Sequence, residues 1–200
     1  WFLMAATIGG LYVYTNSQGS NTAWLEAEAG TYAVGEGLSV KVQPRSGIPP
    51  EEKLNLWTGH GQVLFEPAQS GQSVTFEVPV ESTGLHKVDA LVTVGPGYGA
   101  FGVEIDGKPA TISFPDVRLS EEGVYSSETV ERGTFDAVEV TREREVNGIK
   151  DSIAGAYTVQ RISLGVHEST GQTITIAFIS KDVRDEGAAI GIDQFIVTKG

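Results

Sequence analysis

Three acidic side chains near the two ends of the chain have the types and spacing that a calcium site requires. Glu26 and Glu28 flank a single residue in the run WLEAEAG, and Asp193 lies in the run IGIDQFIV near the end of the sequence. In a strand, two residues that flank a third share one face of the sheet, about 7 Å apart. If the first and last strands pair, Asp193 approaches both glutamates, and calcium accepts such carboxylates together with backbone carbonyls. The spacing predicts a structural calcium site, with solvent-facing carboxylates as the alternative.

Four ring-bearing side chains in loop-like positions are candidates for binding a sugar: Trp57, His60, Tyr98 and Tyr125. A sugar site needs an aromatic plane for the apolar face of the sugar and fixed hydrogen-bond partners in a shallow pocket. Tyr98 lies in the run GPGYG, whose glycines would leave its ring exposed. The alternative for Trp57 is a core anchor at the start of a strand, and for Tyr98 it is a turn residue packed on its own loop.

Residues for catalysis are not arranged in any pattern that indicates an enzyme. The three histidines, His60, His86 and His167, stand far apart in the sequence, without the HxxxH spacing of a zinc site, and the chain lacks a nucleophile elbow. No helical pattern follows the run GPGYG, so it does not predict a phosphate-binding loop. We therefore predict no catalytic residues and do not expect an enzyme.

The charge and the cysteine content narrow the classes of partner and chemistry. The chain of 200 residues carries 14 Lys and Arg against 26 Asp and Glu, and its net charge of −12 argues against nucleic acid and anionic membrane surfaces as partners. Because the chain has no cysteine, disulfides, thiolate metal sites and cysteine nucleophiles are excluded. With 40% hydrophobic residues, the chain can bury one sizeable core.

The elements that must position these residues are predicted to be short strands. Regularly spaced short strands with turn residues between them are typical of an all-β, antiparallel β-sandwich. Asp106-Gly107, between two apolar runs, predicts a hairpin turn, and Pro79 predicts a strand that ends or meets a sheet edge there. Alternating apolar and polar residues predict strands over 24–29, 38–42, 62–65, 73–80, 84–94, 101–105, 111–114, 158–164, 173–179 and 189–197.

The segment 115–155 interrupts this rhythm. It carries many charges and few apolar side chains, so we expect a long excursion between strands, with a short hairpin near 135–140. The excursion is expected to be a solvated surface loop or, alternatively, a lid or partner-contact loop, because long insertions in compact domains are often functional. The chain thus divides into an apolar arm with a polar spacer at 1–22 and a β-sandwich domain at 23–200.

The first 14 residues form an almost uncharged, apolar arm. A bilayer-spanning helix needs about 20 apolar residues, so the arm is too short to span a membrane alone. Because the chain begins at Trp1, we expect a processed or trimmed product, exported from the cytoplasm. The arm is then the remnant of a membrane anchor or signal segment, a strand docked on its own domain, or a strand that pairs with another subunit. In the last case the self-association residues are Phe2, Leu3, Ile8, Leu11 and Val13.

With these runs in place, the chain resembles carbohydrate-binding modules of families 6 and 35, which have a galactose-binding-like jelly roll. The AEAG run at 27–30, the run at 71–110 with its DGK hairpin, and the run at 161–198 with its closing GIDQF follow the order of the family motifs. WTGHGQ at 57–62 resembles a turn of related domains appended to glycoside hydrolases. In the resembling modules, a structural calcium occupies the place of the predicted site. The chain departs from the family pattern at Gly84-Leu85-His86, and its loop 180–188 lacks the Asn that many members use to hold sugar.

Two functions follow from these patterns. The resemblance implies a non-catalytic module, extracellular or at the cell surface, with a glycan as partner and calcium as a structural cofactor. The apolar arm implies instead a subunit of an extracellular filament or surface assembly, a homo-oligomer or polymer in which residues 1–14 pair with a neighbouring subunit. The same sandwich suits both functions, and nucleic acid is an expected partner of neither.

Overall fold

The computed structural model describes residues 21–35, 38–44, 57–80, 82–95, 97–119, 125–136, 143–146, 149–152, 158–183 and 188–200. Most of these residues lie in strands, and the only helix among them is a single 3-10 turn at Ala27–Ala29. No helix in the described ranges is both long and apolar enough to cross a membrane. The arm, with the predicted self-association residues Phe2, Leu3, Ile8, Leu11 and Val13, lies outside the described residues.

Alternating burial along the strands confirms the period-two pattern. In the strand Thr173–Asp182, the side chains of Ile174, Ile176 and Phe178 are buried, whereas Thr173 and Thr175 are exposed. The described strands are β1 (Thr22–Glu26), β2 (Thr31–Val34), β3 (Ser39–Pro44), β4 (Gly61–Glu66), β5 (Ser73–Pro79), β6 (Gly84–Val94), β7 (Ala100–Ile105), β8 (Lys108–Pro109), β9 (Ile112–Leu119), β10 (Tyr125–Arg132), β11 (Phe135–Asp136), β12 (Glu143–Val146), β13 (Ile149–Ser152), β14 (Thr158–Ser169), β15 (Thr173–Asp182) and β16 (Ile190–Lys199).

Two antiparallel sheets enclose the core. The first sheet has the order β10-β9-β14-β6-β16-β4-β3, and β1 also pairs with β16. The second sheet has the order β11-β7-β15-β5-β2, and β8 also pairs with β7. β12 and β13 form a separate two-stranded hairpin. The chain therefore has the all-β, antiparallel β-sandwich fold that the strand pattern predicts.

Aromatic rings from both sheets meet between them. The ring centroid of Phe195, in β16, lies 5.1 Å from that of Phe76 in β5 and 6.2 Å from that of Phe178 in β15. Phe178 in turn lies 5.4 Å from Phe101 of β7, in an edge-to-face arrangement that aromatic pairs favour. The last strand of the chain therefore belongs to the first sheet and packs on the second.

The first and last strands lie side by side, as the sequence predicts. β1 runs antiparallel to β16, with Glu26 opposite Gln194. The strand predicted over 24–29 is wrong in its second half, because β1 ends at Glu26 and Ala27–Ala29 forms the 3-10 turn. The backbone N–H of Gly30 donates to the carbonyl of Ala27 at 3.1 Å and closes this turn. Ala and Glu have low strand propensity, which allows the chain to leave the sheet here.

The Asp106-Gly107 hairpin is confirmed. These two residues connect β7 to β8, with Ile105 opposite Lys108. Both have positive φ, 49° at Asp106 and 72° at Gly107, as a type I′ turn requires. The predicted end of a strand at Pro79 is also confirmed, because β5 ends there.

Within the excursion predicted at 115–155, a loop is wrong for the described residues 115–119, 125–132, 135–136, 143–146 and 149–152, which lie in strands. β9 continues through Pro115 to Leu119 and pairs with β10, and this hairpin extends the first sheet. Of the stretch 135–140, where a short hairpin is expected, the structure describes only Phe135–Asp136, which pairs with β7, and the rest of that prediction lies outside the described residues. β10 is an edge strand, and edge strands of natural sheets often carry charges. Its sequence YSSETVER therefore lacks the apolar alternation by which a half-buried strand is recognised.

Candidate functional site

Asp193 lies at a break in the strand pairing of the first sheet. Along one side of β16, residues 190–192 pair with β4 and residues 194–198 pair with β1, so Asp193 faces the junction between these two strands. On the other side, the register with β6 shifts between Ile192 and Gln194, which makes Asp193 the extra residue of a β-bulge. A bulge interrupts the ladder and re-aims a side chain. The bulge thus directs Asp193 to the junction that Glu26, the last residue of β1, also borders.

Thr58 connects two of the carboxylates. Its backbone N–H donates to Asp193, with distances of 3.0 Å to Oδ1 and 3.2 Å to Oδ2. Its hydroxyl oxygen lies 2.9 Å from Glu26 Oε2 and 3.2 Å from Asp193 Oδ2. A hydroxyl has one proton to donate, so only one of these two carboxylate oxygens receives it at a time. The carboxylates of Glu26 and Asp193, from the first and last strands, therefore both contact the Thr58 hydroxyl oxygen.

Gly59 brings the third carboxylate into the same cluster. A Cβ atom at Gly59 would lie 2.7 Å from Glu28 Oε1 and 2.8 Å from Glu26 Oε2, so a larger residue does not fit without displacing them. The backbone N–H of His60 donates to Glu28 Oε1 at 2.9 Å, and Gln194 Nε2 donates to Glu26 Oε1 at 2.7 Å. The three residues predicted to bind calcium therefore meet around one tight turn.

Burial and mutual repulsion oppose ionisation of the cluster. Asp193 is fully buried, and this burial, together with the charges of Glu26 and Glu28, raises the pKa of Asp193 from 3.8 to about 7, against the hydrogen bonds from Thr58. Burial also raises the pKa of Glu26, and the charge of Glu28 adds to the effect. No ion pair between described residues joins a lysine or arginine to any of the three. The site thus concentrates carboxyl groups, and the charge of His60, which lowers the pKa of Glu26, only partly offsets their effect on that pKa.

The donor atoms of the cluster fit a hard cation. They are carboxylate oxygens, the ligands that calcium prefers, and Glu28 Oε2 is buried without any hydrogen-bond partner. An unpaired buried carboxylate oxygen costs free energy that a cation would offset. Across the described ranges, no three His, Cys, Asp or Glu side chains are already arranged to hold a metal ion. Because Thr58 and His60 donate into the carboxylates, a bound calcium would replace some of these hydrogen bonds.

Trp57 and Tyr98, predicted to bind sugar, lie in the interior and join one chain of hydrogen bonds. Trp57 Nε1–H donates to Thr93 Oγ1 at 2.9 Å, and Thr93 donates to Gln62 Oε1 at 2.6 Å. Gln62 Nε2 donates both to Tyr98 Oη at 2.7 Å and to Gln43 Oε1 at 2.9 Å. This network connects the turn at Thr58 and Gly59, next to Trp57, with the loop that carries Tyr98.

A sugar platform at Trp57 or Tyr98 is therefore not what the structure shows. The exposed fractions of the two residues are only 4% and 7%, so neither offers a free ring face. For Trp57, the core anchor considered as the alternative describes the observed position. The glycines around Tyr98 allow close packing instead of exposure, since a Cβ atom at Gly99 would lie 2.8 Å from Ala188 Cα.

The other two predicted sugar residues occupy different places. His60 is exposed and adjoins the carboxylate cluster through its backbone bond to Glu28. Tyr125 begins the edge strand β10, opposite Leu119, and its side chain is outside the described part of the structure. The four residues are not brought together into one pocket among the atoms that are described.

Three further residues of the cluster were not predicted from the sequence. Thr58 donates hydrogen bonds to the carboxylates, and Gly59 leaves space for them. Gln194 donates a hydrogen bond to Glu26. The Trp-Thr-Gly turn carries a usable signal, because a glycine directly after a hydroxyl residue often marks a close approach of the backbone. The role of Gln194 has no comparable signal, since it depends on the register of β1 against β16.

Three solved structures similar to this chain come from proteins whose names refer to carbohydrates. A Paenibacillus xanthan lyase matches 88% of this chain over 13% of its own length, with 15% identity and a TM-score of 0.54. A family 35 carbohydrate-binding module from Clostridium thermocellum matches 90% of this chain and 98% of its own, with 12% identity and a TM-score of 0.45. A Podospora anserina GH26-CBM35 mannanase matches 90% of this chain over 28% of its own, with 14% identity and a TM-score of 0.45.

No protein-family profile and no curated protein sequence matches the chain. The chain spans only a small part of the lyase and of the mannanase, so their activities belong to those whole proteins. At these identities the likeness is one of fold. The β-sandwich implied by the resemblance in sequence is confirmed by the two-sheet topology and by the match to the lyase.

Proposed function

We propose that this chain is a calcium-stabilised, non-catalytic β-sandwich module that binds a glycan outside the cytoplasm. The observation that carries the proposal is the meeting of Glu26, Glu28 and Asp193 around the turn at Thr58 and Gly59. These residues come from the first strand, the following turn and the last strand, so one cation there would tie the two ends of the sandwich together. Glu28 Oε2, the backbone-held carboxylate of Asp193 and Glu26 Oε2 would contact it.

A calcium ion at this site would supply positive charge and would have a structural role, not a catalytic one. The geometry supports calcium rather than a transition metal because the cluster offers oxygen atoms, and calcium tolerates irregular oxygen shells. Extracellular modules typically bind calcium with dissociation constants of about 10⁻⁴–10⁻³ M.

Isothermal titration of the chelator-stripped chain with calcium tests this part. We expect one site, and at a free calcium concentration 100 times the dissociation constant the chain should gain about 2.7 kcal/mol of stability. For a chain of this size, that corresponds to a rise in Tm of about 5–10 °C. Absence of binding heat together with an unchanged Tm at calcium concentrations up to about 0.1 M, which is 100 times a dissociation constant of about 10⁻³ M, would refute a calcium site.

The glycan part is supported by the ordered sequence motifs and the sandwich fold. Of the four residues predicted to contact sugar, His60 and Tyr125 stay candidates, because Trp57 and Tyr98 are buried. His60 is exposed beside the cation cluster, and Tyr125 lies on an edge strand.

A glycan array probed with the calcium-loaded chain tests the glycan part. We expect binding to a restricted set of glycans, reduced at least tenfold by His60→Ala or Tyr125→Ala. Trp57→Phe is the matched control, because it changes a buried aromatic residue and should preserve specificity. Flat arrays with a folded, calcium-loaded chain would remove the glycan proposal and leave the calcium site intact.

A further inference from the structure

Two histidines that play no part in the carboxylate cluster lie opposite each other in the first sheet. His86 of β6 and His167 of β14 are register partners in an antiparallel pair. Directly opposed residues share a face of the sheet, with Cβ atoms about 5 Å apart. His86 is 2% exposed, and His167 is half-buried, so the pair has one buried and one solvent-side member.

Backbone carbonyls fix both rings in the same tautomer. His86 Nε2 lies 2.9 Å from the carbonyl oxygen of Ser82, and His167 Nε2 lies 2.7 Å from that of Leu164. A carbonyl only accepts hydrogen bonds, so each Nε2 carries the proton and each Nδ1 keeps a free lone pair. Donation of one ring N–H to a backbone carbonyl is the arrangement that supports a metal-binding histidine through its other nitrogen.

A β-bulge leaves the Leu164 carbonyl free to accept the hydrogen bond from His167. The register of β14 against β6 shifts between Ser163 and Gly165, so Leu164 is the extra residue of a bulge and stands outside the ladder. Gly165 follows with φ of 94°, and a Cβ atom there would lie 3.6 Å from His167 Nε2. The bulge and its glycine therefore let the imidazole fold back onto the Leu164 carbonyl.

The Nδ1 atom of His86 is a buried acceptor with no partner. It lies in the interior without a hydrogen bond, and so does the hydroxyl of Ser82, whose carbonyl receives the proton of the same ring. Buried polar atoms in folded proteins nearly always have a hydrogen-bond or metal partner. The His86 Nδ1 atom and the Ser82 hydroxyl are therefore expected to have one. On its other neighbour, β16, the register partner of His86 is Lys199, whose positive charge opposes cation binding but is exposed to solvent and therefore screened.

We propose that His86 and His167 form a binding site for a divalent transition-metal ion, held by the two Nδ1 atoms and completed by water. Imidazole nitrogen selects zinc, copper and nickel over calcium, so this site differs in chemistry from the carboxylate cluster. It lies at the Gly84 end of β6, away from the bulge at Asp193, and does not depend on the proposed function. Bound metal would tie β6 to β14 in the centre of the first sheet.

The imidazole nitrogens can be observed directly, because the chain contains only three histidines. The experiment is a zinc titration of the ¹⁵N-labelled chain in saturating calcium, followed by long-range ¹H–¹⁵N spectra. We expect Nε2–H tautomers for His86 and His167 before zinc, and shifts of their Nδ1 resonances, with those of His60 unchanged, after it. The affinity for zinc should fall more than tenfold in His167→Gln and in His86→Gln, and should be retained in the control His60→Gln.

The half-exposed position of His167 keeps the test decisive if His86→Gln does not fold. Unchanged Nδ1 resonances of His86 and His167 in excess zinc would overturn the proposal and indicate that the buried atoms hold only internal water. Zinc binding that persists in His167→Gln and disappears in Glu28→Gln would also overturn it, because the metal would then occupy the carboxylate cluster.

Discussion

Asp193 is the residue on which the proposed cation site depends most. It is fully buried, at the centre of a sheet, and two further carboxylates border it. A buried charge of this kind is costly unless a cation or several donors compensate it. Among the described hydrogen bonds, only Thr58 donates to the side chain of Asp193 when no metal is bound.

Replacing Asp193 by asparagine should separate the cost of the charge from the benefit of the cation. Without calcium at pH 8, Asp193→Asn should be at least as stable as the wild type, because it removes the repulsion from Glu26 and Glu28. In calcium, the variant should lose the expected gain of about 2.7 kcal/mol. Thermal unfolding with and without chelator measures both effects.

Glu66→Gln is the matched control for that substitution. Glu66 is an exposed carboxylate paired with Lys41 at 2.9 Å, so its loss should change stability little and leave the response to calcium intact. An Asp193→Asn variant that responds to calcium as strongly as the wild type would contradict the assignment of Asp193 as a ligand.

The raised pKa of Asp193 predicts an unusual dependence of stability on pH. The folded chain holds the proton up to about pH 7, whereas the unfolded chain releases it near 3.8. The stability from this group is therefore fully present below pH 3.8 and is lost as the pH rises through 7. We expect the free energy of unfolding of the calcium-free chain to fall by at most about 1.4 kcal/mol per pH unit in this range.

Urea unfolding between pH 5.5 and 8, in chelator and in calcium, measures this dependence. Calcium should flatten the profile, because the cation favours the ionised carboxylate, and Asp193→Asn should flatten it without calcium. A calcium-free stability that rises over this range, or an equal slope in Asp193→Asn, would be inconsistent with the buried acid.

At the scale of elements, the turn between Trp57 and β4 brings the two terminal strands into one site. Gly59 has φ of 52°, and two carboxylate oxygens lie within 2.8 Å of the position a Cβ atom would take. Gly71 has φ of 87° but no atom within 4 Å of that position. The two glycines share a positive φ, which would strain a residue with a Cβ atom, and differ in their surroundings.

Comparing Gly59→Ala with Gly71→Ala therefore isolates the carboxylate contact. Both should lose about 1 kcal/mol or more from the positive φ. Only Gly59→Ala should also weaken calcium binding, because its methyl group displaces Glu26 and Glu28. Calorimetric titration of both variants measures the difference, and equal calcium affinities would show that the turn does not shape the site.

The hydrogen-bond network through Gln62 is the second feature that depends on several strands. Gln62 is fully buried and connects Thr93 of β6, Tyr98 and Gln43 of β3. It fits only because residue 191 is glycine, since a Cβ atom there would lie 2.2 Å from Gln62 Oε1.

Gln62→Leu should destabilise the chain because it removes the hydrogen bonds that the former partners of Gln62 make. A buried group left without a hydrogen bond costs about 1–3 kcal/mol, and the Thr93 hydroxyl, which donates to Gln62, is buried. Gln43→Leu, at the half-buried end of the chain of bonds, should cost less. Urea unfolding of the two variants compares them, and an equally stable Gln62→Leu would contradict the importance of the network.

At the scale of the whole molecule, the sequence predicted the class of fold because most strands have one buried face. β5 and β15 read as strands because apolar side chains alternate with polar ones, and the Asp106-Gly107 turn has a specific backbone requirement. The strands β9 and β10 were missed beyond residue 114, because a charged edge strand carries no such alternation.

The candidate site was predictable only in part. Glu28 joins the cluster from the 3-10 turn and not from the strand face that its spacing predicts, whereas the approach of Glu26 to Asp193 follows from the pairing of the terminal strands. The 3-10 turn, the bulge and the burial of Trp57 and Tyr98 do not follow from the sequence, because each depends on contacts between residues far apart in the sequence. Trp57 illustrates the limit, since an aromatic side chain next to a glycine turn suits a sugar platform and a core anchor equally well.

The central claim is that the two ends of the sandwich close around one calcium ion. A crystal structure of the chain grown in calcium, with anomalous diffraction data, tests it most directly. We predict a single calcium peak in contact with carboxylate oxygens of Glu26, Glu28 and Asp193. A calcium-soaked crystal with these three carboxylates still bonded to Thr58 and His60, and with no peak between them, would contradict the claim.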